Sequence, residues 1–358
     1  MWADEFKCIA TSVVPQVWSD KKLRESDKFG NTLDDAVLPG TKVKDFIGVV
    51  IPSQDALHKW SSMYDEILKQ AYGIKEIKHD LNHDVSHLKV PELSPEDDEK
   101  VWSTWIWISW NVKDIGHTLT RNNVENLKSI REKVLNALKK LPAPEPIVKK
   151  PNEHFYDEYF SNEAETIQYE TKMIWYREYA WFVSEEDGSI FKEAGCNRDY
   201  PEGRAVHYNG HRTKLTYIND EDHIKISCHN HGLNILHHYN QIQTHLKTIE
   251  SDGIEFSKDE KYGYCTTWVQ DLGSGMWISV HLKLPGLFKE HASFEEKINK
   301  LINKWNVTIT KLEKESIYEV TNNLRLGPSE IKQIQDVYDT VVKLIKLENR
   351  FPKEQKEE

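Results

Sequence analysis

The stretch VWSTWIWISWN, Val101 to Asn111, restricts the fold of this chain more than any other segment, because it gathers four of the twelve tryptophans. Successive side chains of a strand point to opposite faces. As a strand, the segment sends Trp105, Trp107 and Ser109 to one face and Thr104, Ile106, Ile108 and Trp110 to the other. Two indoles then stand side by side, either at the heart of a core or on the floor of a pocket. The run is about half of the roughly 20 apolar residues that span a bilayer, and Ser and Thr interrupt it, so membrane insertion is not expected.

Other segments carry helical spacing. PSQDALHKWSSMYDEILKQAYG predicts one helix, with Ser53 as N-cap, Leu57, Trp60, Tyr64, Ile67 and Leu68 on one face, and Gly73 as C-cap. Residues 1–90 are expected to form a small helical domain. The proline- and acid-rich VPELSPEDDEK reads as a linker to a larger domain spanning 91–358. Within that domain TRNNVENLKSIREKVLNALKKL, LNILHHYNQIQTHLKTIE, SFEEKINKLINKWN and GPSEIKQIQDVYDTVVKLIKLE predict helices, the third opened by a capping box from Ser293 to Glu296. Strands dominate from Ala180 to Ser227, where KLTYIN and HIKISC flank the acidic turn DED as a hairpin. GYCTTWVQDLGSG and MWISVHLKLP predict another strand pair joined through glycines. Strands separated by tight turns, with helices grouped between them, predict an α+β protein: an antiparallel sheet flanked by helices.

The net charge of −11 argues against a nucleic-acid backbone as main partner, which would need a basic face. Cys8, Cys196, Cys228 and Cys265 form no C-x-x-C pair, and free thiols in a reducing compartment are expected. The start of the chain lacks a signal-peptide or transit-peptide pattern, so a cytoplasmic location is expected. CHNHGLNILHH, Cys228 to His238, meets no standard zinc spacing, and no metal site is expected there.

Several blocks together resemble one family, the phosphagen (ATP:guanido) kinases, the arginine and creatine kinase group. RDYPEGRAVHYNGHRTKLTYINDEDHIKIS is similar to the block ending in that family's Asn-Glu-Glu-Asp-His signature. GYCTTWVQDLGSGMWISVHLKLP resembles the reactive-cysteine block, and IYEVTNNLRLGPSEIKQIQDVYDTVVKLIKLE the Asn-x-x-Arg-x-Gly segment. LDDAVLPG and GVVIPSQDALHKW are similar to the family's small helical domain. The resemblance runs through nearly the whole chain in order. It implies the phosphagen kinase, glutamine-synthetase-like architecture and transfer of the γ-phosphoryl group of Mg-ATP to a guanidino substrate.

The same resemblance implies that the machinery is degraded. The family's Ser-Thr-Arg-x-Arg strand falls on Ser103, Thr104, Trp105, Ile106 and Trp107, so both phosphate-binding arginines are tryptophans. A third arginine position falls on Trp110, the next on Lys225, and the one beyond the cysteine block on Trp277. Two adjacent family arginines become Leu324 and Arg325, the first being the phosphate-contacting one. The reactive cysteine position is Trp268; Cys265, three residues earlier on a strand, would face away. Glu221 keeps the substrate-glutamate position, Asp222 and His223 the signature, and Gly273 and Gly327 the scaffold. Val307 to Ser316 is shorter than the family's substrate-covering loop.

The resulting expectation is a pseudoenzyme with no intact catalytic residue and no cofactor, its indoles plugging the former phosphate site with apolar packing. It would serve as a structural or interaction subunit of a larger assembly, in the cytoplasm or in a cilium or flagellum, less so in a mitochondrion, and possible as a homodimer. The alternatives are an active guanidino kinase using Mg-ATP through Glu221, Lys225 and Arg325, and a module binding a nucleotide or another aromatic ligand between the tryptophans.

Overall fold

A computed structural model describes residues 8–42, 47–117, 124–141, 165–168, 193–196, 198–199, 202–208, 213–312 and 316–351. The strands expected between 180 and 192 and the start of the helix expected from Thr120 lie outside them.

The helical first part consists of α1 (Ile9–Val17), α2 (Leu33–Lys42), α3 (Gln54–Lys59) and α4 (Ser61–Tyr72). Ser53 caps α3 by accepting from the Ala56 N–H, and Gly73 ends α4 with a left-handed φ of 65°. The single helix expected there is broken at Trp60. Its indole is fully buried and donates to the Glu25 carbonyl at 3.1 Å, which turns the backbone out of helical geometry.

After the short α5 (Pro95–Asp98), β1 (Val101–Trp110) enters an eight-stranded sheet in the order β2-β3-β4-β5-β1-β8-β10-β9. Its other strands are β2 (Glu165–Gln168), β3 (Ala205–Tyr208), β4 (Lys214–Ile218), β5 (Ile224–Asn230), β8 (Met276–Lys283), β9 (Val307–Leu312) and β10 (Ile317–Asn322). All pairings are antiparallel, and the hairpin expected around the DED turn is β4–β5. The tryptophan strand lies at the middle of the sheet, paired with β5 and β8.

Helices α6 (Val124–Leu138), α7 (Ile235–Ser251) and α10 (Glu330–Glu348) contribute to the main core together with one face of the sheet. Ile106, Ile108, Ile226, Ile278, Val280 and Val320 fill it and are wholly buried. A second core joins the first helices to Tyr262, Cys265, Val269, Leu272 and Leu326. Ile51 donates its N–H to the Thr267 carbonyl, and Asp65 accepts from the Tyr262 hydroxyl, so the 257–272 segment is fastened beneath the helical layer.

Three expectations need correction. Of GYCTTWVQDLGSG only Gly263–Tyr264 (β7) is a strand, paired with β6 (Lys258–Asp259); Cys265 to Trp268 is loop. Cys265 and Trp268 still face different cores, because the second helical core takes the thiol, not because a strand alternates. The helix expected from Ser293 begins earlier, as α9 (His291–Trp305) directly after α8 (Pro285–Lys289), so Ser293 lies inside its first turn and caps nothing. Val307 to Ser316 is no plain loop: its first six residues form the edge strand β9. All four cysteines are free and buried.

Candidate functional site

Strand alternation leaves the second face of the sheet to a different set of side chains. Trp105 and Trp107 on β1, Lys225 and His229 on β5, and Trp277 on β8 share it, since Trp107 pairs with Trp277, Trp105 with His229 and Ser109 with Lys225. The three indoles are half-buried rather than buried, and none belongs to a hydrophobic core. Of the two settings expected for them, the heart of a core is therefore ruled out: they form an aromatic layer on this face.

The layer is ordered by stacking. Trp107 and Trp277 lie parallel, 2° apart, with ring centroids at 5.4 Å. The Lys225 ammonium sits 5.9 Å from the Trp107 ring centre and the Arg325 guanidinium 4.1 Å from that of Trp277. Lys225, Trp107, Trp277 and Arg325 thus form a row of two indoles bracketed by two cations. Such cation–π contacts are worth ~0.5–2 kcal/mol each. Trp105 stacks on His229 at 4.0 Å and donates its ring N–H to the Ser103 hydroxyl at 3.2 Å.

Each cation has a carboxylate within ion-pair distance. Lys225 contacts Glu221 at 2.8 Å and Asp220 at 3.6 Å. Burial alone would lower its pKa, but the two carboxylates override that and hold it above the ordinary lysine value. Lys225 is therefore not a solvent-facing strand lysine. Arg325, only 5% exposed, pairs with Asp271 at 3.2 Å and donates to the Gln270 carbonyl at 3.3 Å. Burial pushes Asp271 up to about 6, with Arg325 opposing, and Asp220 likewise to about 6, with Lys225 opposing. Arg325 is seated by Gly273, whose φ of 103° and lack of a Cβ let the loop backbone approach the Arg325 carbonyl; an added Cβ would meet that oxygen at 2.3 Å.

Glu221 and Trp268 meet directly, the indole N–H donating to the second carboxylate oxygen while Trp268 packs with Val50, Ala194 and Cys196. Asp222 is a structural knot. It accepts from Ser109, Asn111 and the Thr267 N–H at 2.6–2.7 Å and so ties β1 and the 265–268 loop to the β4–β5 turn. His223 accepts the Val112 N–H at 3.0 Å, and burial lowers its pKa to about 3, so it is neutral.

The structure thus gathers Ser103, Trp105, Trp107, Lys225, Trp277, Arg325, Glu221 and Trp268 around one face. Thr104 does not join them: it points the other way, bonded to the Gly232 carbonyl at 2.7 Å. Nor does Trp110, which lies in the main core, stacked 3.5 Å from Tyr264. Of the Leu324–Arg325 pair, Arg325 supplies the contact to the aromatic row. Asp220 and Asp271 escaped notice in the sequence, although Asp220 stands in the hairpin turn that presents Glu221. Among the described residues no group of three or more potential metal ligands occurs; His231 instead donates to the Trp102 carbonyl and His238 bonds Asn230.

A sequence model of the ATP:guanido phosphotransferase C-terminal catalytic domain matches residues 150–351, more than half of the chain. The chain belongs to the ATP:guanido phosphotransferase family. An arginine kinase of Anthopleura japonica is 26% identical, covering 96% of this chain and 47% of that protein. A creatine kinase M-type of Canis lupus familiaris is also 26% identical, covering 97% and 90%. Among solved structures, the substrate-free duplicated taurocyamine kinase from Schistosoma mansoni superposes with a TM-score of 0.78 at 19% identity, over 97% of this chain and 48% of that one. A lombricine kinase gives 0.78 at 18%, over 96% and 92%. The chain spans about half the length of the Anthopleura and Schistosoma relatives and about nine-tenths of the other two. The α+β architecture of this ATP:guanido phosphotransferase homologue is that of those structures.

Proposed function

We propose that this chain is a phosphagen-kinase homologue that no longer transfers phosphoryl groups and is kept as a structural or interaction subunit of a larger protein assembly. The observation that carries this reading is the Lys225–Trp107–Trp277–Arg325 row, in which each cation already has a protein carboxylate as its counter-charge. Phosphoryl transfer depends on positioned cations that neutralise charge on the transferring group. Loss of a single preorganised donor typically costs ~3–4 kcal/mol of transition-state stabilisation, and such losses do not simply add. An indole offers one N–H and no charge. The residues here do not fit a triphosphate. It would have to displace Glu221, Asp220 and Asp271 from the two cations, and the parallel packing of Trp107 against Trp277 closes the ring faces on which an adenine would stack.

Calorimetric titration with Mg-ATP and a coupled assay with arginine, creatine and taurocyamine test the reading. No heat and no turnover at high protein concentration are expected. Micromolar binding with turnover overturns it and favours a rebuilt kinase site using Glu221, Lys225 and Arg325. Binding without turnover, seen as quenched tryptophan emission, favours a nucleotide-binding module. Affinity purification with mass spectrometry identifies the assembly, and light scattering distinguishes it from a homodimer.

A further inference from the structure

One polar row on the open face takes no part in the cation–indole stack. Ser103, His281 and Glu319 lie opposite one another on the adjacent strands β1, β8 and β10. The Ser103 hydroxyl is 2.9 Å from His281 Nδ1, and the far nitrogen of that ring, Nε2, is 3.8 Å from a Glu319 carboxylate oxygen. The Ser279 hydroxyl donates to the same Glu319 oxygen at 2.7 Å and steadies it. The Trp105 N–H occupies one lone pair of Ser103 and fixes its rotamer. All three side chains are partly accessible, His281 and Glu319 each 26% exposed.

A serine bonded to an imidazole, which is in turn faced by a carboxylate, is the arrangement that generates a nucleophilic hydroxyl. We propose that Ser103, with His281 as its base, takes an acyl group from small carboxylic esters. Ser103 Oγ adds to the ester carbonyl carbon as its proton passes to His281 Nδ1. The C–O bond to the alcohol breaks, and that alcohol leaves with the proton from His281. Water, giving up a proton to His281, then adds to the acyl carbon, and Ser103 leaves with that proton. The products are one alcohol and one carboxylic acid. Glu319 is a positioning residue that favours the Nε2–H tautomer and offsets the imidazolium charge. Burial, opposed by Glu319, lowers the His281 pKa, so the ring is neutral and able to accept a proton near pH 7. The Trp105–His229 stack beside the hydroxyl gives an apolar wall suited to a short acyl chain.

The test uses the full chain with a fluorophosphonate probe, peptide mapping of the adduct, and hydrolysis of p-nitrophenyl acetate. A single adduct on Ser103 is expected. Ser103→Ala should remove it and lower hydrolysis about a hundredfold, as should His281→Gln. Glu319→Gln should move the acid limb of the labelling rate to lower pH, because the charge that raises the His281 pKa is gone, a change that a merely structural role would not produce. Ser103→Cys retains a nucleophile of similar shape and should alkylate faster than the four buried cysteines. No adduct on Ser103, hydrolysis unchanged in Ser103→Ala, or an inert Ser103→Cys each overturns the proposal.

Discussion

The two faces of the central sheet are made from the same strands yet follow different rules. On the face packed against the helices, Ile106, Ile278 and Val320 exclude all solvent, and their constraint is volume. On the open face, Trp107 and Trp277 remain half-buried, and their constraint is charge: each ring is covered by a cation that has its own carboxylate. One face of such a sheet can carry different side chains without loss of the fold because the alternate residues, one position away, continue to pack the other.

That contrast can be broken most forcefully from the packed side. Ile278→Ala should cost about 2–5 kcal/mol, since the cavity it leaves is closed on all sides; urea denaturation followed by circular dichroism measures it. Asp222→Ala comes next, at roughly 2–3 kcal/mol, because the Ser109, Asn111 and Thr267 donors lose a buried acceptor. Asp222→Asn should lose less in the same experiment, as its carbonyl oxygen still accepts. Trp277→Ala on the open face should cost only about 1–2 kcal/mol, the stacking and cation–π share. If its denaturation midpoint falls as far as that of Ile278→Ala, the aromatic layer is a core after all.

A pH step probes the same face without a substitution. Asp271 and Asp220 carry folded-state pKa values of about 6, raised by burial above the ordinary 3.8. A raised carboxylate pKa means that protonation favours the folded state. Their stabilising contribution is therefore full below pH 3.8 and is lost as pH rises through about 6. Protonating Asp271 also releases Arg325 from its ion pair above Trp277. Tryptophan emission should change with a midpoint near pH 6, and Asp271→Asn should remove the part of that change that belongs to Trp277. A flat titration in the parent protein would show that burial does not hold the Asp271 pKa near 6.

Much of the fold was legible in the residues alone. The alternation in β1, the apolar spacing of α7 and α10 and the DED hairpin depend on backbone geometry within a few residues, and each formed as expected. The misreadings share a cause in longer-range packing. Trp60 broke a regular helical pattern because its indole found the Glu25 carbonyl, and the 265–268 segment left strand geometry because it is tied to Ile51 on one side and Asp222 on the other. The identity of the open-face residues was equally legible; their roles were not, because neither Asp271 beside Arg325 nor the Trp268 N–H on Glu221 leaves any periodic mark in the chain.

Sequence by itself determined which side chains share a face and how acidic the molecule is. Those properties follow from strand and helix periodicity and from composition, which need no knowledge of distant neighbours. Only the tertiary structure decided that the indoles stack at the surface instead of filling a core, that Thr104 and Trp110 turn away from them, and that Asp220, Glu221 and Asp271 neutralise the remaining cations. Charge compensation depends on separations of a few ångströms between groups tens of residues apart, and those separations exist only once the sheet has closed.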